Sequence, residues 1–156
     1  MALEFRYGWC TLRLGSGPRE VSVKATTMHD AFADLLDAVN GMAAGRVCQS
    51  VLWGGEGRGV FLDLTLAHRF EVGLVVHEMV DPNWLRPGVH WVPERGAVAF
   101  AANCAFAQLM DVLSREVGRV RRQYADRADH MEHWGWDFPV AQYEALLRNR
   151  ALFSAG

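Results

Sequence analysis

Residues 130 to 139, His-Met-Glu-His-Trp-Gly-Trp-Asp-Phe-Pro, bring two imidazoles, two carboxylates and three aromatic rings into ten positions. Histidines three apart share a face of a helix, so His130 and His133 could offer two ring nitrogens to a metal, with Asp126, Asp129 or Asp137 to complete the set. Glu132 points away from that pair, and the spacing is not the His-Glu-x-x-His arrangement that places a general base beside two ligands. Neither a metal nor a cofactor is therefore expected. The same residues have a structural reading. Gly135 can supply the left-handed residue that stops a helix, Pro139 is tolerated in the first turn of the next one, and Asp137 suits that helix's positive end. Trp134, Trp136 and Phe138 would then wedge the corner between the two helices.

Other reactive side chains are scattered. The chain has no Gly-x-Ser-x-Gly elbow. Cys104, in Ala-Asn-Cys-Ala-Phe, falls where the long helix should begin, and the dipole there could lower a thiol pKa. Cys10, Cys48 and Cys104 are odd in number and far apart, and each lies in an apolar stretch, which suits buried free thiols better than a disulfide framework. Gly54-Gly55-Glu56-Gly57-Arg58-Gly59 lacks the Gly-Lys-Ser/Thr ending of a phosphate loop and precedes a strand, so it reads as a hairpin turn. His77, His90, His130 and His133 are the candidates for a general base if they converge on one pocket.

Two sets of residues suit binding. Arg115, Arg119 and Arg122 recur along the long helix on the side away from its apolar face, where they could meet an acidic partner or be neutralised by Asp111, Glu116 and Asp126. Between Asp81 and Arg95 the chain carries Pro82, Pro87 and Pro93 with Trp84, His90 and Trp91 among them, and follows no period. A connection of that length inside a compact domain is usually functional or covering. Trp84 and Trp91 on a proline-stiffened loop would make rigid interface anchors, or would lie back over the sheet as a lid.

The elements that must position these groups follow from periodicity. Residues 3 to 14 alternate and then change phase near Cys10 and Thr11, which predicts one strand with a bulge. Gly15 to Pro18 turn the chain into a second strand through Val21, Val23 and Ala25. Thr27 with Asp30 resembles a capping box, and Phe32, Leu35, Leu36, Val39 and Met42 step through a helix that should end near Gly45. Val47 to Trp53, Val60 to Leu66 and Phe70 to Val76 read as an antiparallel meander, with a last strand at Ala97 to Phe100. Phe106, Leu109, Leu113, Val117, Val120 and Tyr124 define a long amphipathic helix, and Val140 to Leu152 a terminal one with Tyr143, Leu146, Leu147 and Phe153 on its apolar side. The expected fold is α+β: an antiparallel β-meander sheet packed against one long and two shorter helices, in the order β-β-α-β-β-β-β-α-α, as a single globular domain over residues 1–156.

Composition narrows the function classes. With 51% hydrophobic and 22% charged residues, 156 residues suffice for one core. A formal net charge of -2 gives no general attraction to phosphate backbones, so a nucleic-acid partner is not expected. The N-terminus lacks the pattern of a secretory signal and no window stays apolar for a membrane-spanning length, so a cytoplasmic protein without a membrane partner is expected.

The plan carried by His29-Asp30-Ala31-Phe32-Ala33-Asp34-Leu35-Leu36, the meander, the long helix, Trp134-Gly135-Trp136-Asp137-Phe138-Pro139 and Tyr143 to Leu147 resembles that of small uncharacterised bacterial α+β proteins. Some of these resemble immunity proteins that neutralise toxins by binding them. The resemblance implies a non-enzymatic protein that acts through protein-protein contacts, as an immunity or adaptor protein, and defines no catalytic residue. The alternative is a small-molecule or hydrolytic site between sheet and long helix, lined by His77, His130 and His133. The partner would be another protein, with a homodimer left open.

Overall fold

The computed structural model describes residues 1–55, 58–80, 94–124 and 127–154. Among these residues seven strands and four α-helices follow the α+β plan: β1 (Ala2–Arg6), β2 (Trp9–Ser16), β3 (Arg19–Thr26), α1 (Ala31–Ala43), β4 (Cys48–Gly55), β5 (Arg58–Leu66), β6 (Glu71–Val80), β7 (Glu94–Ala105), α2 (Phe106–Gln123), α3 (Arg127–Trp134) and α4 (Val140–Ser154). The strands form two antiparallel sheets, in the order β1-β2-β3 and β4-β5-β6-β7.

The phase change near Cys10 is a reversal of the chain rather than a bulge. Tyr7 and Gly8 both have positive φ, 49° and 80°, and Arg6 pairs with Trp9 across a two-residue hairpin. This is the turn whose twist matches paired strands. A tyrosine at its first position hides it, because a bulky residue rarely takes a left-handed backbone.

Helix α1 starts one turn later than the Thr27 box would place it. The Asp30 carboxylate caps it, accepting from the Ala33 amide at 3.1 Å. Its buried face, Phe32, Leu35, Leu36, Val39 and Met42, joins the inward residues of both sheets and Leu109, Met110, Leu113, Val117 and Val120 of α2 in one continuous apolar cluster. β3 touches β4, β5 and β7, so the smaller sheet lies across the inner face of the larger. α4 packs on both α1 and α2, and Gly118 lets it come close: a Cβ there would lie 2.9 Å from the Tyr143 hydroxyl oxygen.

The free edge of β1 is covered from the side. Leu3 N–H donates to Glu116 Oε1 at 2.7 Å, the Leu3 carbonyl accepts from Arg119 Nη2, and the Phe5 carbonyl accepts from the Tyr124 hydroxyl at 2.8 Å. Three side chains of the α2 segment thus stand in for a neighbouring strand, which is one way an edge is made unavailable for pairing.

Candidate functional site

The His130 to Pro139 stretch is the joint of the molecule. α2 stops at Gln123, α3 carries His130, His133 and Trp134, and Gly135 takes φ 91° before the chain turns into α4. Trp134 is fully buried and donates its indole N–H to Asp30 Oδ1 at 3.0 Å, the same oxygen that caps α1. Trp136 donates to the Thr27 carbonyl at 3.1 Å, and the His133 carbonyl accepts from the Gly8 amide of the first hairpin. One short segment therefore ties the start of α1 and the β1–β2 turn to the C-terminal helices.

His130 is fully buried among Phe5, Phe32, Tyr124 and Phe138, with ring centroids 5.2 to 6.2 Å away. Its Nδ1 lies 2.8 Å from the Trp136 carbonyl, which can only accept, so Nδ1 carries the hydrogen. Nε2 finds no partner among the described residues. Burial pushes the imidazole pKa down, against the opposite pull of the Trp136 carbonyl, Asp30 and Asp137. His133 lies nearer the surface, stacked on Tyr7 and tilted against Tyr124. Both histidines therefore flank the Tyr124 ring, His130 in the core and His133 nearer the surface. Among the described residues no three His, Cys, Asp or Glu side chains gather as a metal site.

A depressed imidazole pKa makes stability fall with acidification. Above the unfolded value of about 6.5 neither state is protonated, and below it the unfolded chain takes up a proton that the folded site resists. The melting temperature should therefore drop between pH 7.5 and 5.5, and less steeply in His130→Phe. Equal slopes for the two proteins would show that His130 does not titrate in this way.

Of the arginines expected on a solvated face, Arg119 is turned inward to β1, held by both Glu116 oxygens, the Gln123 side chain and the Leu3 carbonyl. Arg115 pairs with Asp111 at 3.1 Å, and Asp111 also meets Arg150 of α4. Arg122 runs beside Gly118, with its Nη1 3.6 Å from where a Cβ would stand. Of the three, Arg119 holds β1, whereas Arg115 and Arg122 stay exposed.

His77 lies on the outer face of the larger sheet, away from α2. Its Nε2 is 3.7 Å from Asp63 Oδ2, and Asp63 holds Arg95 through both oxygens at 2.5 and 2.8 Å. Arg95 also donates to Ser50 Oγ at 2.9 Å and covers the Phe61 ring at 4.7 Å. The Arg95 contact holds the Asp63 carboxyl below the usual range, so it is ionised and occupied rather than poised to take a proton. The cross-strand pairs Ser50↔Asp63 and Met79↔Arg95 bring the cluster together. Asp63 within the apolar alternation of β5 was its one sequence signal. Trp84, His90 and Trp91 lie outside the described residues.

The cysteines depart from a uniformly buried set: Cys10 is buried, Cys48 exposed and Cys104 half-buried, all as free thiols. Cys104 sits at the end of β7, not in α2, and burial together with Glu71 pushes its thiol pKa up. Cys104 lines a cleft of about 340 Å³ between the β2–β3 turn, the inner face of β6 and β7, and the start of α2. This is a space between sheet and long helix, but His77, His130 and His133 are not in its lining.

β7 is the longest strand among the described residues and, like β3 and β4, ends a sheet. It has twelve residues, most of them exposed, and no strand pairs with its outer edge among the described residues. From Gly96 to Ala105 it carries no charge and no proline, and Val98 is 57% exposed. Register shifts opposite His77 disturb its beginning, but from Phe100 to Ala105 its pairing with β6 is unbroken. The sequence pointed only to a strand at Ala97–Phe100, because the alanines that follow have no alternation to read.

The fold defines an α+β protein built on two antiparallel sheets. Compared with known protein families, curated proteins and solved structures, the chain matches none. No helix among the described residues is long and apolar enough to cross a membrane.

Proposed function

We propose that this protein acts by binding another protein, without chemistry of its own, in an immunity-like or adaptor role, and that the outer edge of β7 is the surface it uses. The observation that carries this reading is the contrast between its edges. β1 has backbone groups of Leu3 and Phe5 occupied by Glu116, Arg119 and Tyr124, whereas from Gly96 to Ala105 β7 offers an uncharged row of backbone donors and acceptors with no neighbouring strand among the described residues. Exposed edges invite pairing unless charge, proline or cover prevents it. A partner that lays an extended segment against β7 gains main-chain hydrogen bonds, and the side chains of Val98 and Ala101 lie where they would influence it.

A photo-crosslinking amino acid placed at Ala101 in cells, with one at exposed Glu20 as control, tests this. The expected result is a discrete adduct from position 101 that disappears when Val98→Lys is added. Adducts from position 20 but none from 101 would move the interface elsewhere.

A further inference from the structure

Charge is unevenly spread along the chain. Residues 2–26 carry four cations and two carboxylates, although the formal net charge of the whole is -2. Positive charge therefore gathers on the smaller sheet. Leu3, Phe5, Leu12 and Val23 are buried on its inner face. The register sets Arg6 beside Trp9, Lys24 beside Thr11 and Arg13 beside Ser22 on the opposite face, in three successive rows. Such rows lie about 7 Å apart, and each here holds one cation. Of the two carboxylates on this face, Glu4 is engaged by Arg13 at 3.4 Å, and Glu20 stands one row further on, opposite Gly15. Arg6 and Lys24 form no ion pair among the described residues.

Aromatic rings stand at the Arg6 end. Tyr7 is 78% exposed, with the Arg6 guanidinium 5.5 Å from its ring centroid and the His133 ring stacked with it at 6.4 Å and 24°. Trp9 is 40% exposed, and exposed Trp136 is anchored on the carbonyl of Thr27, the residue after the one that pairs with Trp9. Asparagine, not tyrosine, suits the first position of a turn of this kind. At φ 49° Tyr7 thus keeps a strained backbone together with a ring presented to solvent.

We infer that this face binds a single strand of nucleic acid, with bases stacked on Tyr7 and Trp9 and phosphates met by Arg6, Lys24 and Arg13. Single-strand sites combine cations that track the backbone with rings on which any base stacks. Both are present here. An acidic peptide would satisfy the cations and leave the exposed rings without planar partners. A flat anionic membrane would press on Glu4 and Glu20 as well as on the cations, whereas a strand can follow the basic rows. The net charge of the chain bears on general attraction to phosphate, and this attraction is local. The inference goes beyond the role of the β7 edge and is independent of it, because it uses the other sheet.

Fluorescence anisotropy of a labelled thymidine dodecamer, titrated with the full chain between about 50 and 200 mM salt, tests this. Three phosphate contacts predict saturable binding whose log K falls with log salt at a slope of about -2. Arg6→Gln/Lys24→Gln should weaken binding and flatten the slope to about -0.7, while crosslinking from position 101 stays as in the wild type. Trp9→Ala and Tyr7→Asn remove stacking and no charge, so each should weaken binding about fivefold or more at an unchanged slope. Absence of saturable binding overturns the inference. So does wild-type affinity in both ring variants or in the glutamine pair. Oligoglutamate displacing the strand as well as unlabelled dodecamer does, at equal charge, would leave charge alone at work and overturn the nucleic-acid occupant. Anionic phosphatidylglycerol vesicles displacing it equally well would assign the face to a membrane surface and overturn it too.

Discussion

Trp134→Ala is expected to lower unfolding stability by about 3–5 kcal/mol, the range for deleting a fully buried large aromatic side chain. The indole is inaccessible to solvent and packs edge-on against Phe5 at 5.5 Å, and its N–H shares Asp30 Oδ1 with the first turn of α1. The truncation opens a cavity between α3, β1 and α1 and removes one of the two donors that hold Asp30. Because small domains are stable by only about 5–15 kcal/mol, the loss is a large fraction of the total. Urea unfolding measures it directly. Trp134→Phe should cost less than the alanine variant, since it keeps most of the apolar volume and loses the hydrogen bond. A cost below about 1 kcal/mol for the alanine variant would mean that the joint does not hold the two ends of the chain together.

Gly135→Ala is the second large effect, expected at about 2–6 kcal/mol from two sources. The residue has φ 91°, a conformation that costs a side-chain-bearing residue about 1–3 kcal/mol. A Cβ there would also lie 2.6 Å from Thr27 Cγ2, and forcing atoms into filled space costs about 1–3 kcal/mol more. The two contributions can be separated. Thr27→Ala removes the methyl group that clashes, so the double variant should recover the steric part and retain the backbone part, a coupling that a double-mutant cycle reads. Strict additivity of the two substitutions would show that Thr27 is not the obstacle.

Both predictions concern the segment whose residue types look most reactive, and they explain why its chemistry is misleading in isolation. Gly135, the three rings and Pro139 were legible as a helix corner because left-handed glycine and aromatic wedges are local features. What the sequence hid is non-local: that Trp134 shares the Asp30 cap, that the His133 carbonyl receives the Gly8 amide, and that His130 lies in an aromatic box. The helices α1, α2 and α4 were legible for the same reason, since three-to-four spacing is written within each segment. The first hairpin was missed because Tyr7 adopts a backbone its type rarely takes.

The candidate binding surfaces were less legible, since exposure depends on which elements become neighbours. Arg119 sits at solvent-face spacing on α2, yet β1 lies against that side and captures it. β7 reads as an alanine-rich stretch without period, and its status as an edge follows only from the strand order β4-β5-β6-β7. The outer-face cluster of Ser50, Asp63, His77 and Arg95 likewise needs the cross-strand register before its members meet.

Binding of a partner protein at the β7 edge, as proposed, can be tested with two substitutions. Val98→Lys/Ala101→Lys places two charges on exposed positions of that edge, where surface substitutions should shift stability by no more than about 0.5 kcal/mol. Calorimetric titration of the crosslinked partner into wild-type and doubly substituted protein is the most direct measurement. The account predicts at least a tenfold rise in Kd, equivalent to about 1.4 kcal/mol, with an unchanged unfolding midpoint. Equal affinity for the two proteins would contradict it.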